Sequence, residues 1–346
     1  MNPYVISLFL FTLGMGTMLT FSSSHWLLAW MGLEINTLAI IPIMSTLHHP
    51  RAVEATTKYF LVQATAAATL LFASTTNAWM TGQWDVSSTT HPFPMLMIVM
   101  ALSLKLGVAP LHTWLPEVLQ GLDLITGLIL STWQKLAPFI LLLQLPLQNQ
   151  MILTYLALVS ILVGGWGGLN QTQLRKILAY SSIAHLGWMM LIIQFSPALT
   201  ILALLMYLLI TTAAFLTLHM ANVFSLNALA SSWTKAPLIS ALFPLVLLSL
   251  AGLPPLSGFL PKWMILQELT KQGLPLTATI AAMGALLSLY FYLRVSYATA
   301  FTFSPAPTPQ TINWRTLPNK APFPLPIFML LSILLLPLAP SMTTLI

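Results

Sequence analysis

The stretch Gly107-Val-Ala-Pro-Leu-His-Thr-Trp-Leu-Pro-Glu117 recurs later in the chain as Gly252-Leu-Pro-Pro-Leu-Ser-Gly-Phe-Leu-Pro-Lys262. The two copies align without gaps, are identical at five of eleven positions and keep an aromatic residue at a sixth. Each lies inside a long apolar segment, where proline and glycine interrupt a helix. The stretch therefore predicts two helices that are broken at matching places. The prolines at the predicted breaks are Pro110, Pro254, Pro255 and Pro261.

The composition predicts that lipid is the solvent of this chain. Of 346 residues, 58% are hydrophobic and 5% are charged, whereas soluble domains carry roughly 25% charged residues. The net charge of +6 comes from scattered basic residues, so a nucleic-acid partner is not expected. Cysteine is absent, which excludes disulfides and thiolate ligation of iron–sulfur clusters. The chain also lacks a P-loop or GxGxxG pattern for a nucleotide, and no metal site is expected.

Hydropathy predicts an all-α polytopic membrane protein with about eleven transmembrane helices. A spanning helix needs about 20 mostly apolar residues. The fourth and ninth predicted segments are those with internal breaks. The segments are 3–21, 25–46, 56–80, 93–120, 122–143, 150–169, 174–195, 197–221, 237–271, 275–301 and 323–345.

The two breaks lie five helices apart, so their helices are expected to cross the membrane in opposite directions. This pattern predicts inverted five-helix repeats over 1–148 and 149–302 in a single membrane domain, followed by a proline-rich loop and a last helix over 303–346. Two chance proline kinks are the alternative, because proline is common in membrane helices. The gap-free identities favour the repeat.

Basic residues between the predicted spans indicate the orientation. One side carries Asp85 and Lys271, and the other carries six basic residues. The positive-inside rule assigns the basic side, and with it the N-terminus, to the cytoplasm or the mitochondrial matrix. The C-terminus is then expected on the opposite side. The six basic residues are Arg51, Arg175, Lys176, Lys235, Arg315 and Lys320.

Four charged residues fall deep inside predicted spans, where each costs about 2.5–3.5 kcal/mol on insertion scales. They are Glu34, Lys105, Lys135 and Lys262. One acid cannot neutralise three bases, so a purely static role is disfavoured and proton handling is the favoured interpretation. Two histidines, His112 beside the first break and His185 in the middle of the seventh predicted span, add groups that titrate near neutrality.

Snorkelling side chains or static ion pairs are the alternative for such residues. That alternative is preferred for Lys58, His219 and Arg294, which lie nearer the ends of predicted helices. Glu117 is expected at a helix end, although it could also line a half-channel.

The broken-helix repeat and the lysines resemble those of the antiporter-like membrane subunits of mitochondrial NADH:ubiquinone oxidoreductase, respiratory complex I. The resemblance runs along the whole chain, and its motifs are specific to these subunits. The matching stretches are His25-Trp-Leu-Leu-Ala-Trp-Met-Gly-Leu-Glu-Ile-Asn36, Leu104-Lys-Leu-Gly-Val-Ala-Pro-Leu-His-Thr-Trp-Leu-Pro-Glu117, Ile177-Leu-Ala-Tyr-Ser-Ser-Ile-Ala-His-Leu-Gly187 and Leu250-Ala-Gly-Leu-Pro-Pro-Leu-Ser-Gly-Phe-Leu-Pro-Lys-Trp263.

The resemblance implies a role for each charged residue of the spans. Glu34 would pair with Lys105. The proton path would run from this pair through Lys135 to Lys262, with His185 on the same hydrophilic axis. It also implies a half-channel in each repeat. Bacterial relatives have fourteen spans, so a chain with eleven would leave a groove for accessory subunits or lipid. The largest member of this family has a lateral amphipathic helix. This chain has no such segment, so it does not resemble that member.

The resemblance also implies the work of the whole complex. Complex I oxidises NADH, reduces ubiquinone and pumps protons across the mitochondrial inner membrane. NADH, FMN, the iron–sulfur clusters and ubiquinone would be bound elsewhere in the complex, and this chain would hold no cofactor. Its expected partners are the other membrane-arm subunits, and its expected task is to couple the redox energy to proton pumping. Two alternatives stay open: a cation/proton antiporter subunit, and a non-conducting structural subunit.

Overall fold

A computed structural model of the chain describes residues 3–46, 49–147, 151–230, 232, 237–300, 324–338 and 340–341. Over these residues the chain is almost entirely helical, which confirms the predicted all-α membrane fold. The helices are α1 (Pro3–Ser22), α2 (Trp26–Met44), α3 (Pro50–Thr81), α4 (Pro92–Leu106), α5 (Trp114–Gly121), α6 (Leu124–Gln144), α7 (Met151–Gly168), α8 (Leu174–Ile192), α9 (Pro197–Ala221), α10 (Leu226–Ala230), α11 (Pro237–Ala251), α12 (Phe259–Lys271), α13 (Pro275–Ala300) and α14 (Pro324–Leu334).

Every predicted span contains a helix, and the two predicted to be broken are each divided in two. Within the described ranges, seven helices are long and apolar enough to cross a membrane by length and composition, and three shorter apolar helices accompany them. Large apolar side chains on their outer surfaces, such as Phe11, Trp79 and Trp166, are mostly exposed. That exposure fits a lipid solvent, because water would disfavour so much apolar surface.

The third predicted span begins earlier than hydropathy indicated. α3 starts at Pro50, and proline is favoured in the first turn, where its missing N–H is not needed. The ring of His49 accepts a hydrogen bond from the backbone N–H of Arg51. Arg51, expected in a loop, therefore lies in the first turn of α3. Arg175 and Lys176 lie likewise in the first turn of α8.

Some predictions fall outside the described ranges. They concern residues 303–323 of the proline-rich loop predicted over 303–326, and three of the basic residues used for orientation, Lys235, Arg315 and Lys320; the last three residues of that predicted loop belong to α14. The orientation of the termini and the inverted symmetry of the repeats stay predictions.

The chain packs into two compact units, Met1–Val159 and Ser160–Ile346. In the first unit, α1 packs closely on α2 because neither Gly16 nor Gly32 has a side chain. A Cβ atom on Gly32 would lie 2.9 Å from the carbonyl oxygen of Gly16. Helix α3 contacts α2, α4 and α5, and α6 contacts α1, α2 and α4. In the second unit, α9 contacts α8, α11, α12 and α14.

Candidate functional site

The first break separates α4 from α5. Gly107 has a left-handed backbone, with φ of 78°, and its N–H donates to the carbonyl of Ser103 at 2.9 Å. The N–H of Val108 donates to the same carbonyl at 3.0 Å. This glycine-centred pattern ends helices. The chain becomes helical again at Trp114.

The second break repeats this geometry at the aligned positions. Gly252 has φ of 83°, and the N–H groups of Gly252 and Leu253 both donate to the carbonyl of Leu248, at 3.2 and 3.4 Å. Helix α12 then begins at Phe259, which aligns with Trp114. Both copies of the repeated stretch therefore end one helix and begin the next at the same positions.

Lys105 lies buried in the last turn of α4. Its carbonyl oxygen accepts a hydrogen bond of 3.4 Å from the amide of Gln63, whereas its ammonium nitrogen has no hydrogen-bond partner in the described structure. No hydrogen bond or ion pair joins Glu34 to this ammonium in the described structure. The Oε2 atom of Glu34 is also buried without a partner. The implied Glu34–Lys105 pair thus has no direct hydrogen bond here, and its role stays a prediction.

Lys105 and Lys135 line one cavity of about 20 Å³ in the first unit. Lys135 is buried in the middle of α6, close to Pro138, which also lines the cavity. Asn36 of α2 also lines the cavity. A cavity of this volume holds about one water molecule. The structure therefore brings two of the predicted lysines to one small polar space.

His112 and Glu117 lie outside that cavity. His112 is half-buried between α4 and α5, and its Nδ1 atom is 3.3 Å from the carbonyl oxygen of Pro110. Glu117 accepts a hydrogen bond of 2.7 Å from Lys58, which also pairs with Glu54 at 2.8 Å. These charges line a second cavity of about 350 Å³ with Arg51. Lys58 forms the ion pairs expected of a structural cation.

In the second unit, Lys262 caps the helix that precedes its own. It is buried in the first turn of α12, and its ammonium donates to the carbonyl of Ala251 at 2.7 Å and that of Leu250 at 3.3 Å. These carbonyls end α11 and have no partner within the helix. A cationic donor at a helix C-terminus also interacts favourably with the helix dipole. Gly252 makes room for this lysine, since a Cβ there would lie 2.9 Å from Lys262 Cδ.

His185 and Lys262 line a cavity of about 20 Å³ in the second unit, together with Tyr207. The rings of His185 and Tyr207 lie 5.6 Å apart. The structure therefore brings together the predicted histidine of α8 and the predicted lysine of α12.

Arg294, interpreted as structural, donates to the carbonyl of Leu169 at 2.5 Å.

The charge pattern of the sequence did not indicate the neutral polar residues that line both cavities. Asn36, Gln63 and Gln134 line the first cavity, and Tyr207 lines the second. Asn36 could have been predicted from the sequence, because it follows Glu34 by two residues in an apolar segment. Gln134 offered the same signal, because it directly precedes Lys135, whereas Gln63 and Tyr207 are next to none of the four buried charges in the sequence.

The comparisons with known proteins define the class of the chain. Residues 23–288 match the family described as NADH:quinone oxidoreductase/Mrp antiporter, TM. Residues 289–343 match the family described as NADH dehydrogenase subunit 2 C-terminus. The chain is thus an antiporter-like membrane subunit, as the lysines and broken helices predicted.

The chain belongs to the NADH-ubiquinone oxidoreductase chain 2 family. The protein of that name from Salmo salar is 64% identical, over 100% of this chain and 99% of the relative. The one from Tetraodon nigroviridis is also 64% identical with the same coverage, and the one from Danio rerio is 59% identical over 99% and 98%.

Solved structures share the fold. A chain of respiratory complex I from Thermus thermophilus is 29% identical with a TM-score of 0.83, covering 99% of this chain and 81% of that one. A chain of the Mrp complex from Dietzia sp. is 17% identical with a TM-score of 0.80, covering 97% and 75%. The second likeness concerns the fold alone.

Proposed function

We propose that this chain translocates protons as a membrane subunit of NADH:ubiquinone oxidoreductase in the mitochondrial inner membrane. NADH oxidation and ubiquinone reduction take place in other subunits, which bind the NADH, FMN, iron–sulfur clusters and ubiquinone. The proposal rests on the buried lysines, above all on the small cavity that Lys105 shares with Lys135. The proposed partners of this chain are the other membrane-arm subunits. Accessory subunits or lipid would fill the groove left by the three helices that fourteen-span relatives have in addition.

Two ammonium groups around one small cavity repel each other, so the cavity favours one charged lysine at a time. A proton taken up by Lys105 therefore disfavours a proton on Lys135, and the reverse. In this proposal an ionised Glu34 stabilises a charged Lys105, because opposite charges attract. A change in the position of Glu34 can thus decide which lysine holds the proton.

In the second unit, Lys262 and His185 share a cavity of similar volume. Histidine accepts and releases protons near neutral pH, so His185 is suited to pass protons to or from Lys262. His112 belongs to the proposed path as a half-buried group at the first break. Moving one charge across 100 mV costs about 2.3 kcal/mol, so the path needs a drive, which the redox chemistry of the complex supplies.

The proposed orientation places the N-terminus in the matrix and the C-terminus in the intermembrane space. It is supported by the basic residues at the starts of α3 and α8, namely Arg51, Arg175 and Lys176.

The test uses the assembled complex reconstituted in liposomes, with Lys105→Met or Lys262→Met in this chain. Both variants keep a long apolar side chain but cannot carry a proton. We expect fewer protons pumped per NADH oxidised, with normal assembly and normal NADH oxidation by an artificial acceptor. Lys271→Met is the matched control, because Lys271 is exposed and pairs with Glu268.

Unchanged pumping in both Lys105→Met and Lys262→Met would favour the non-conducting structural subunit. Sodium-dependent transport by the isolated chain in liposomes would favour the antiporter subunit instead.

A further inference from the structure

Two loops of the first unit pair with each other around His25, the residue that precedes α2. His25 and Asp85 face each other across a short antiparallel bridge. Beside them, the backbone N–H of Val86 donates to the carbonyl of Ser24 at 2.8 Å. The turn between α1 and α2 is therefore tied to the loop between α3 and α4.

The imidazole ring of His25 is held on two sides. Its Nδ1 atom accepts a hydrogen bond of 3.2 Å from the backbone N–H of Leu27, and this bond caps the N-terminus of α2. The ring also stacks on the indole of Trp84, with ring centres 5.5 Å apart and planes 8° from parallel. His25 is half-buried, so protons from the solvent can reach it.

The cap requires an imidazole without a proton on Nδ1, because an N–H group cannot accept a hydrogen bond. Histidine is the side chain that ordinarily changes its charge between about pH 5 and pH 8. The imidazolium has an N–H at both ring nitrogens and so loses the bond from Leu27. Its positive charge is also disfavoured at the start of a helix, where the helix dipole is positive. Protonation of His25 therefore releases the cap of α2.

The protonated ring has other partners in the same loop pair. Asp85, across the bridge, offers a negative charge, and the face of the Trp84 indole attracts a cation. The other titratable residue of the α3–α4 loop is His91, just before α4. The last turns of α1, α3 and α6 have no acidic or basic residue. The neutral and charged forms of His25 thus have different partners.

We propose that His25 is a positioning residue, whose protonation state links the acidity at its face of the membrane to the position of Glu34. Glu34 lies in the helix that His25 caps, about 13 Å further along it by the usual rise per residue. The proposed orientation places His25 on the side where protons are released. Released protons then loosen the start of α2, displace Glu34 and slow further pumping. This inference rests on the proposed function.

The experiment uses the assembled complex in liposomes. Only complexes with their NADH site outside react with added NADH, so that His25 faces the lumen. The initial rate of proton pumping is measured with the lumen buffered at about pH 7.5 or about pH 5.5, near the two ends of the histidine range, and with a constant external pH. His25→Asn is compared with the unmodified complex, because asparagine caps helices well and does not titrate.

The opposing pH gradient acts equally on both complexes, so the comparison removes its effect. We expect the acidic lumen to slow the unmodified complex by a factor about two or more larger than it slows His25→Asn, the lower limit for loss of a helix cap. His25→Ala lacks the cap at both pH values, so it should pump slowly in either lumen.

His91→Asn is the matched control. His91 precedes α4 as His25 precedes α2, and it lies in the loop that pairs with His25. Its side chain is exposed and makes no cap hydrogen bond. We expect His91→Asn to be slowed by an acidic lumen as much as the unmodified complex.

An equal response of His25→Asn and the unmodified complex to the acidic lumen would overturn the inference and leave His25 a purely structural cap. Structures of the unmodified complex at both pH values give a second test, which needs no variant and serves if His25→Asn does not assemble. The bond from Leu27 to His25 should be present at the higher pH and lost at the lower one, and its retention at the lower pH would refute the switch.

The proposed function fails separately. If Lys105→Met pumps normally, the proposed function is wrong. If Lys105→Met pumps poorly while His25→Asn responds to the lumen as the unmodified complex does, the inference about His25 alone is refuted.

Discussion

At the scale of single residues, the buried charges of this chain differ in how they are satisfied. Lys262 donates to two backbone carbonyls, whereas the ammonium of Lys105 has no hydrogen-bond partner in the described structure. Glu34, also buried, makes no hydrogen bond with Lys105, so an attraction between their opposite charges would act through space. An interaction through space can be strengthened or weakened by a small displacement of either group, because its energy changes steadily with distance.

Glu34→Gln tests this interaction. The substitution keeps the shape of the side chain but removes the charge that favours protonated Lys105. We expect fewer protons pumped per NADH in the reconstituted complex, with normal assembly. Glu268→Gln is the control, since Glu268 pairs with Lys271 away from both lysine cavities. Equal pumping by Glu34→Gln and the unmodified complex would contradict a role for the Glu34 charge.

At the scale of elements, the two breaks share a glycine-centred helix end and differ in the side chains that cap it. In the first, the indole of Trp114 donates to the carbonyl of Leu104 at 3.1 Å, and Gln63 donates to that of Lys105. In the second, the ammonium of Lys262 occupies the equivalent place. The cap of the first break is therefore neutral, while the cap of the second is a group that can gain and lose a proton.

Gly107→Ala tests the backbone of the first break. A left-handed conformation costs a residue with a side chain roughly 1–2 kcal/mol, and the added Cβ would lie 2.8 Å from Leu115 Cδ1. Gly82 also has positive φ, at 71°, but open space around it. Thermal denaturation of the assembled complex should show a larger loss of stability for Gly107→Ala than for Gly82→Ala. Equal losses of thermal stability in the two variants would mean that the first break accommodates an alanine at residue 107 without added strain.

Lys262→Gln separates the two roles of Lys262. A glutamine can donate hydrogen bonds to the carbonyls of Leu250 and Ala251 but cannot take up and release a proton. A methionine can do neither. We expect both variants to pump poorly and Lys262→Gln to keep more thermal stability. If Lys262→Met is as stable as the unmodified complex, the cap contributes nothing to the fold.

At the scale of the whole molecule, the last described helix supports the second break. The hydroxyl of Ser257 donates to the carbonyl of Ser332 in α14 at 2.5 Å. Leu335, just beyond α14, packs with Leu260 of α12 and with Met206 of α9. The C-terminal part of the chain thus fixes the position of α12 and of its lysine.

Ending the chain at residue 323 should therefore disturb the second unit. Without α14, the apolar surfaces of α9 and α11 that contact it lose their cover. We expect this chain to fail to accumulate in the assembled complex, as measured by native gel electrophoresis. Ending the chain after Ser341 keeps every described contact of α14 and should leave assembly normal. Normal assembly of the shorter chain would show that α14 is dispensable.

Much of this protein follows from its sequence because membrane helices are local features. A run of about 20 apolar residues must be helical in lipid, since its backbone groups can bond only to each other. Glycine and proline within such runs predicted both breaks, and the cost of burying charge singled out Lys105, Lys135 and Lys262. The sequence by itself determined the class of protein, the helices and their breaks, and the residues that carry charge into the membrane.

The tertiary structure alone decided which of these residues meet. Whether Lys105 and Lys135 share a cavity, and whether Lys262 turns back onto the end of α11, depends on how helices distant in the chain pack. The same holds for Asn36, whose neutral amide is unremarkable until packing encloses it beside an ammonium. Hydropathy and charge are properties of single residues and short segments, whereas the partners of a buried polar group are set by contacts that cross the fold.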